Sequence, residues 1–366
     1  MTIAVHIDSL NENTSIFWQC FSRVACQNSA DHFIFFTQDN YLPKDFFPGN
    51  CTIVNVTPLI KNSLLLHYWY NLKLPRLLKK FNTDIFISAN SVLSQRTKKA
   101  QIMLVTDDFI WQKNYPLKNA YSNYLKRFFP VFIDKAAAIL ITKEFIGQRL
   151  SARYPGMAKK TSIMPASLNQ VYKPISEEMK ISIREKLTNG HEYYFFECSA
   201  ITQPYVMAVI KAFSIFKKRL KSGMQLVVIN KLNLNPIKDF HIYKYRNEVQ
   251  MIPYTAEKDT AKILAAAYAA IYLPAFLSAQ NTGLNSLEVG VPLITLSLEN
   301  SAALYGDAVL YTGLDEKMIA ENMMLLYKDE AQKNNFIQLG AAVAKKYNIE
   351  DSSARLWQTI LNCSSV

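Results

Sequence analysis

The stretch Pro274-Ala-Phe-Leu-Ser-Ala-Gln-Asn-Thr-Gly-Leu-Asn-Ser-Leu-Glu288-Val-Gly-Val-Pro292 decides how the chain is read. Before it, Ala269 to Leu273 is an unbroken apolar run, the pattern of a buried strand that ends at Pro274. A turn-rich loop follows, and then a short helix that starts near Thr282 or Gly283. Gly290-Val-Pro292 returns the chain to a second apolar run, Leu293 to Leu296. A helix that starts at the carboxyl end of a parallel strand aims its free amides at any anion placed there. Glu288 lies about one and a half turns inside this helix, where a carboxylate can reach a ribose. By itself the pattern also fits an ordinary βαβ crossover.

The order strand, loop, Gln280, Gly283, Glu288, Gly-x-Pro, strand resembles the nucleotide-sugar motif of family-4 glycosyltransferases. In that family two glutamates bracket the motif, and the first precedes a Gly-aromatic-Gly. Here Glu288 stands for the second glutamate, Gly283 for the last glycine and Gln280 for the first glutamate. Asn281 and Thr282 occupy the glycine and aromatic positions. The segment from Leu304 to Tyr347, with Gly306-Asp307-Ala308, follows the family closely. So does Tyr254 to Ala270, whose Ala265, Ala266 and Ala269 suit close packing. The resemblance implies the GT-B architecture: α/β, two doubly wound parallel-sheet, Rossmann-like domains with a cleft between them. It places an acceptor-side domain at 1–170, a nucleotide-sugar domain at 171–348, and a last helix, 349–366, that crosses back to the first domain.

The composition is compatible with this. The 366 residues, 50% of them hydrophobic, suffice for two domains with full cores. No apolar run approaches the ~20 residues of a membrane span. The amino terminus, MTIAVHIDSL, reads as a first strand and not as a secretory signal. Five scattered cysteines without a CxxC pair suggest reduced thiols, no metal site and a cytoplasmic location. The net charge of +12 draws anions. No nucleic-acid motif accompanies it, so phosphorylated ligands and an anionic membrane surface are the expected partners.

Along the first half, apolar runs predict strands at Thr2–Ile7, His32–Thr37, Cys51–Val56, Asp84–Ser88, Gln101–Thr106, Ala138–Thr142 and Thr161–Pro165. Leu64 to Phe81, LLLHYWYNLKLPRLLKKF, mixes Tyr68, Trp69 and Tyr70 with Lys73, Arg76, Lys79 and Lys80. It is either a membrane-interface helix or a core helix with a solvated basic face, kinked near Pro75. Tyr121 to Ala137 repeats the aromatic and basic mixture. Asp107-Asp108 follows the fifth strand, where the family carries His-Asp near the transferred sugar. A carboxylate at Asp107 can still position a sugar hydroxyl, and the pair can equally be a helix cap. Asn13 to Phe17 stands where many family members have a glycine-rich loop, and it contains no glycine.

In the second half, strands are predicted at Tyr193–Cys198, Gln225–Asn230 and Val249–Pro253. The family's Arg-Lys pair, which clamps the donor diphosphate, falls on Gln203 and Pro204. Neither is cationic. Lys231 is the nearest substitute and is otherwise a solvated lysine.

The resemblance therefore implies a retaining hexosyltransferase that uses a nucleotide-sugar and a glycan or lipid-linked acceptor, without a bound metal, in cell-envelope polysaccharide synthesis. Asp107, Asp108 and Gln280 would act on the sugar. Thr282, Gly283, Leu284, Glu288, Lys231 and Gln203 would hold the donor. The alternative is an inactive homologue that binds a glycan or a partner glycosyltransferase, because four positions that carry chemistry differ together.

Overall fold

In a computed structural model, residues 1–7, 12–38, 47–58, 60, 62–106, 120–165, 167–232, 240–275 and 282–364 are described. They form two compact units: the described residues of 1–167 together with 347–364, and those of 168–275 together with 282–346.

The first unit is a seven-stranded sheet: β1 Thr2–His6, β2 His32–Thr37, β3 Cys51–Asn55, β4 Ile85–Ser88, β5 Ala100–Val105, β6 Ala138–Ile141 and β7 Thr161–Ile163. The spatial order is β3-β2-β1-β4-β5-β6-β7, and every pairing is parallel. The helices are α1 Glu12–Gln27, α2 Ser63–Tyr68, α3 Leu74–Lys80, α4 Ala120–Lys135 and α5 Glu144–Arg153. The central strands are buried on both faces, so their sequences are continuous apolar runs and not alternating ones.

The second unit repeats the plan with β8 Tyr193–Cys198, β9 Gln225–Asn230, β10 Val249–Pro253, β11 Ala269–Tyr272, β12 Leu293–Leu296 and β13 Leu310–Thr312, in the order β10-β9-β8-β11-β12-β13. Its helices are α6 Glu177–Thr188, α7 Val206–Leu220, α8 Glu257–Ala265, α9 Thr282–Glu288, α10 Ser301–Tyr305, α11 Glu316–Lys328 and α12 Glu330–Ala344. In both sheets the strand order reverses beside the first strand, the doubly wound arrangement in which ligands bind at the carboxyl ends of the strands. The last helix, α13 Ile349–Ser364, belongs to the first unit. Its Leu356 and Ile360 join the core that also holds Phe17, Trp18 and Phe21 of α1. Arg23 meets Glu350 at 2.7 Å, and Ser352 Oγ donates to the Pro165 carbonyl at 2.7 Å.

The aromatic-basic segment Leu64–Phe81 is a core element. Trp69 and Tyr70 are fully buried (0% exposed). Trp69 stacks on His6 with centroids 4.3 Å apart, and the Tyr70 hydroxyl lies 2.6 Å from His6 Nδ1. Pro75 does not simply kink the helix. Trp69–Lys73 widens into a π-helical turn between α2 and α3, and Leu74 N donates five residues back to the Trp69 carbonyl. Pro75 then occupies the first turn of α3, directly after the widened turn.

Candidate functional site

The second unit's candidate site is built on the carboxyl edge of its sheet. β8 ends at Cys198, and the chain turns through Ser199–Thr202 into a short 3-10 turn, Gln203–Tyr205. Thr202 fixes this turn: its hydroxyl donates to the Glu197 carbonyl and accepts from Ser199 N at 2.8 Å. Gln203 and Pro204, both exposed, open the 3-10 turn. Lys231 follows β9 directly, and its amide donates to the Cys198 carbonyl at 3.0 Å. Ala275 N donates to the Ile201 carbonyl at 2.8 Å, which ties the segment after β11 to the turn after β8. The sheet order therefore brings Gln203, Lys231 and the start of α9 to one edge from three parts of the chain.

Lys231 does not stand there as a solvated cation. Its Nζ lies 3.1 Å from Glu197 Oε2 and 3.4 Å from Glu257 Oε2, with 8% of the side chain exposed. It also sits 5.0 Å from the centre of the Tyr254 ring. The Tyr254 hydroxyl donates to Glu257 Oε2 at 3.2 Å, and the Tyr172 hydroxyl donates to Glu257 Oε1. Glu257 opens α8, where a carboxylate complements the helix dipole. One lysine thus faces two carboxylates in a half-dry setting, and most of its field is already neutralised.

α9 supplies the rest. Thr282 opens it, and Gly283 and Leu284 are buried within its first turn. The helix is held from below: Ser286 Oγ donates to the Val291 carbonyl at 2.7 Å, and Gly290 turns the chain at φ +76° toward β12. Gly340 of α12 lets Leu287 come close, since a Cβ on Gly340 would meet Leu287 Cδ2 at 3.0 Å. Glu288 closes the helix, half-buried. Burial pushes its carboxyl above the usual carboxylate range, and Lys173 offsets this in part. It forms no hydrogen bond or ion pair with another described residue. Asn285, half-buried, is three residues earlier and so on the same side of α9, nearer the carboxyl edge.

Of the residues singled out from the sequence, Asp107, Asp108 and Gln280 lie outside the described residues. Three others at this edge escaped the sequence reading. Glu197 was marked by being a lone charge at the end of the apolar run Tyr193–Cys198. Asn285 was marked by its spacing from Glu288. Nothing in the sequence linked Glu257 to Lys231. Among the described residues, no group of three or more His, Cys, Asp or Glu side chains could hold a metal ion. None of the described helices is long and apolar enough to cross a membrane.

No family model matches the chain, and no curated protein matches it in sequence. Solved structures match its whole length. A glycosyltransferase from Rickettsia africae ESF-5 superposes with a TM-score of 0.77 at 11% identity, covering 99% of this chain and 98% of that one. Anabaena Alr3699/HepE in complex with UDP and glucose gives 0.72 at 13% identity, with 98% and 99% covered. WaaG, a glycosyltransferase involved in lipopolysaccharide biosynthesis, gives 0.69 at 14% identity, with 97% and 98% covered. The two parallel Rossmann-like sheets are those of the GT-B glycosyltransferases.

Proposed function

We propose that the chain is a retaining glycosyltransferase of the family-4 type, whose second unit binds a nucleotide-sugar and whose first unit binds a glycan or lipid-linked acceptor. One observation carries this reading. Glu288 is a half-buried carboxylate, raised by burial, on the helix after β11, and no described residue hydrogen-bonds it. A carboxylate kept partly dry that no described residue hydrogen-bonds gains two hydrogen bonds when a ribose diol arrives, and charged hydrogen bonds of that kind contribute ~1.5–3 kcal/mol each. Asn285 can join it from the same side. The diphosphate would be met by the first-turn amides of α9, at Thr282, Gly283 and Leu284, and by the exposed Gln203. Asp107, Asp108 and Gln280 are proposed to position the transferred sugar. Such enzymes act by orientation and by stabilising the departing diphosphate, and no metal is required for that. Neighbours of this fold crystallised with UDP and UDP-glucose support a uridine nucleotide as the first ligand to try.

A second reading is favoured by one specific feature. Lys231, the cation that follows β9 at this edge, is paired with Glu197 and Glu257. An inactive homologue that serves as a glycan-binding or partner-enzyme subunit would tolerate this. Calorimetric titration with UDP-, GDP- and dTDP-sugars separates the two. Binding that disappears in Glu288→Ala, with the thermal transition kept, supports the enzyme. Absence of binding, both in the native chain and after Gln203→Arg with Pro204→Lys, overturns it in favour of the binding subunit. A cytoplasmic place at the inner membrane face goes with the enzyme reading, and exposed Leu64 (80%) and Tyr68 (41%) on α2 support it.

A further inference from the structure

The first unit carries a cationic groove at the opposite edge of its sheet. A cavity of about 520 Å³ opens between α3 and the loop before β5. Four cations line it, Lys79, Arg96, Lys98 and Lys99, over an apolar floor of Pro75 and Leu78, and no acidic residue takes part. β4 and β5 are parallel, with Ile85 opposite Ala100, and the groove residues come just before each of them. The groove therefore sits at the amino ends of the strands, whereas nucleotide sites of doubly wound folds lie at the carboxyl ends.

The loop is held in place, which distinguishes it from a mobile basic surface. Ser94 and Gln101, both buried, bond each other twice: Ser94 N to Gln101 Oε1 at 2.9 Å and Gln101 Nε2 to the Ser94 carbonyl at 2.9 Å. Ser94 Oγ accepts from Arg96 N at 3.2 Å and Thr97 N at 3.3 Å. Gln95 N donates at 2.8 Å to Asn71 Oδ1, a buried side chain of the π-helical turn. The widened turn thus serves to hold the loop that presents Arg96, Lys98 and Lys99. Across from it, Asn82 at φ +49° turns the chain from α3 into β4. None of the four cations has an ion-pair partner among the described residues. Lys79 faces the negative end of α3, a local role of its own. The three loop cations have no such role.

Cations presented by a held loop around a concave floor, with no ion-pair partner among the described residues, favour an anion with several charges close together, because the ordering entropy of the loop is already spent in folding. We propose that this groove is a second ligand site, separate from the donor site, for a soluble organic molecule that carries two or more phosphate groups. Its phosphates would meet Arg96, Lys98 and Lys99, and its organic part would cover Pro75 and Leu78. A bilayer fits less well. The exposed apolar Leu64 is fifteen residues before Lys79 along the helical segment, roughly 22 Å at 1.5 Å per residue, so anchor and charge are not side by side. The site does not depend on the glycosyltransferase reading.

The test uses the full chain and inorganic tripolyphosphate as probe, titrated by calorimetry at low salt. The groove variant is Arg96→Gln/Lys98→Gln/Lys99→Gln, all exposed positions. A charge-matched control is Lys317→Gln/Lys345→Gln/Lys346→Gln, also exposed. Thermal melting should be the same for all three proteins. The native chain and the control should bind within about twofold of one another, and the groove variant about tenfold more weakly, a loss of about 1.4 kcal/mol spread over three screened contacts. Equal weakening in both variants would show attraction by net charge alone and overturn the proposal, as would no binding by the native chain. Binding of phosphatidylglycerol vesicles without binding of tripolyphosphate would assign the groove to a membrane, and that too overturns it.

Discussion

Lys231→Met separates a diphosphate clamp from a structural tie. In the folded chain the ammonium holds Glu197 at 3.1 Å and Glu257 at 3.4 Å, and the Glu197 side chain is 5% exposed. Methionine keeps the apolar stem and removes the charge, so Glu197 is left buried without its counter-ion. Breaking a buried pair by removing one partner costs about 3–5 kcal/mol, because the remaining charge stays desolvated. Glu257, more exposed, relaxes toward water and adds little. For a unit of this size each kcal/mol moves the midpoint by about 2–4 °C, so a drop on the order of 10 °C is expected. Removing a free surface lysine would change stability by only about 0.5 kcal/mol. Guanidinium and thermal unfolding read the difference. The double variant Lys231→Met/Glu197→Gln should recover much of the loss, since no buried charge then remains unpaired. A loss under about 1 kcal/mol in the single variant, or no recovery in the double, would refute the pairing as the lysine's main role. Calorimetry with UDP on the same proteins would then show whether the lysine meets the ligand instead.

Glu288→Gln should bind nucleotide far more weakly and yet be more stable at neutral pH. Burial raises the Glu288 carboxyl above its ordinary 4.5. The folded chain therefore holds its proton more tightly, and stability contributed at low pH is lost as pH rises through the folded value. Melting curves of both proteins should converge below pH 4.5 and separate above it; curves that separate in acid would sink this account. Gln203→Arg with Pro204→Lys adds two cations to the exposed turn after β8 and should tighten UDP binding by about tenfold, each charged contact contributing ~1.5–3 kcal/mol less its desolvation; unchanged affinity would show that no diphosphate comes near. Trp69→Ala should cost about 3–5 kcal/mol as a core cavity, with vesicle binding unaffected, whereas Leu64→Ser should lower any binding to anionic vesicles and leave stability within about 0.5 kcal/mol; sedimentation with vesicles and denaturant titration tell these apart.

The apolar runs announced most strands to within a residue or two, because a parallel sheet buried on both faces needs uninterrupted apolar stretches such as Tyr193–Cys198 and Ala269–Tyr272. The helix after β11 and its start at Thr282 were equally legible from the turn residues before it and Gly-Val-Pro after it. Local patterning could do no more, because it contains no partner beyond about one helical turn. Whether Trp69 met lipid or core depended on His6, more than sixty residues away, against which it stacks. The π-helical turn answers a demand set partly by Gln95, whose amide takes the Asn71 side chain. Lys231 reads as a free cation until the sheet order sets β9 beside β8 and delivers Glu197, and until α8 delivers Glu257. The cationic groove exists only because β4 and β5 are adjacent and parallel, so that the segments leading into them meet. Periodicity and turn chemistry act between neighbours in the chain and specify elements. Charge pairing, burial and cavities act between neighbours in space, and strand order alone decides which residues those are.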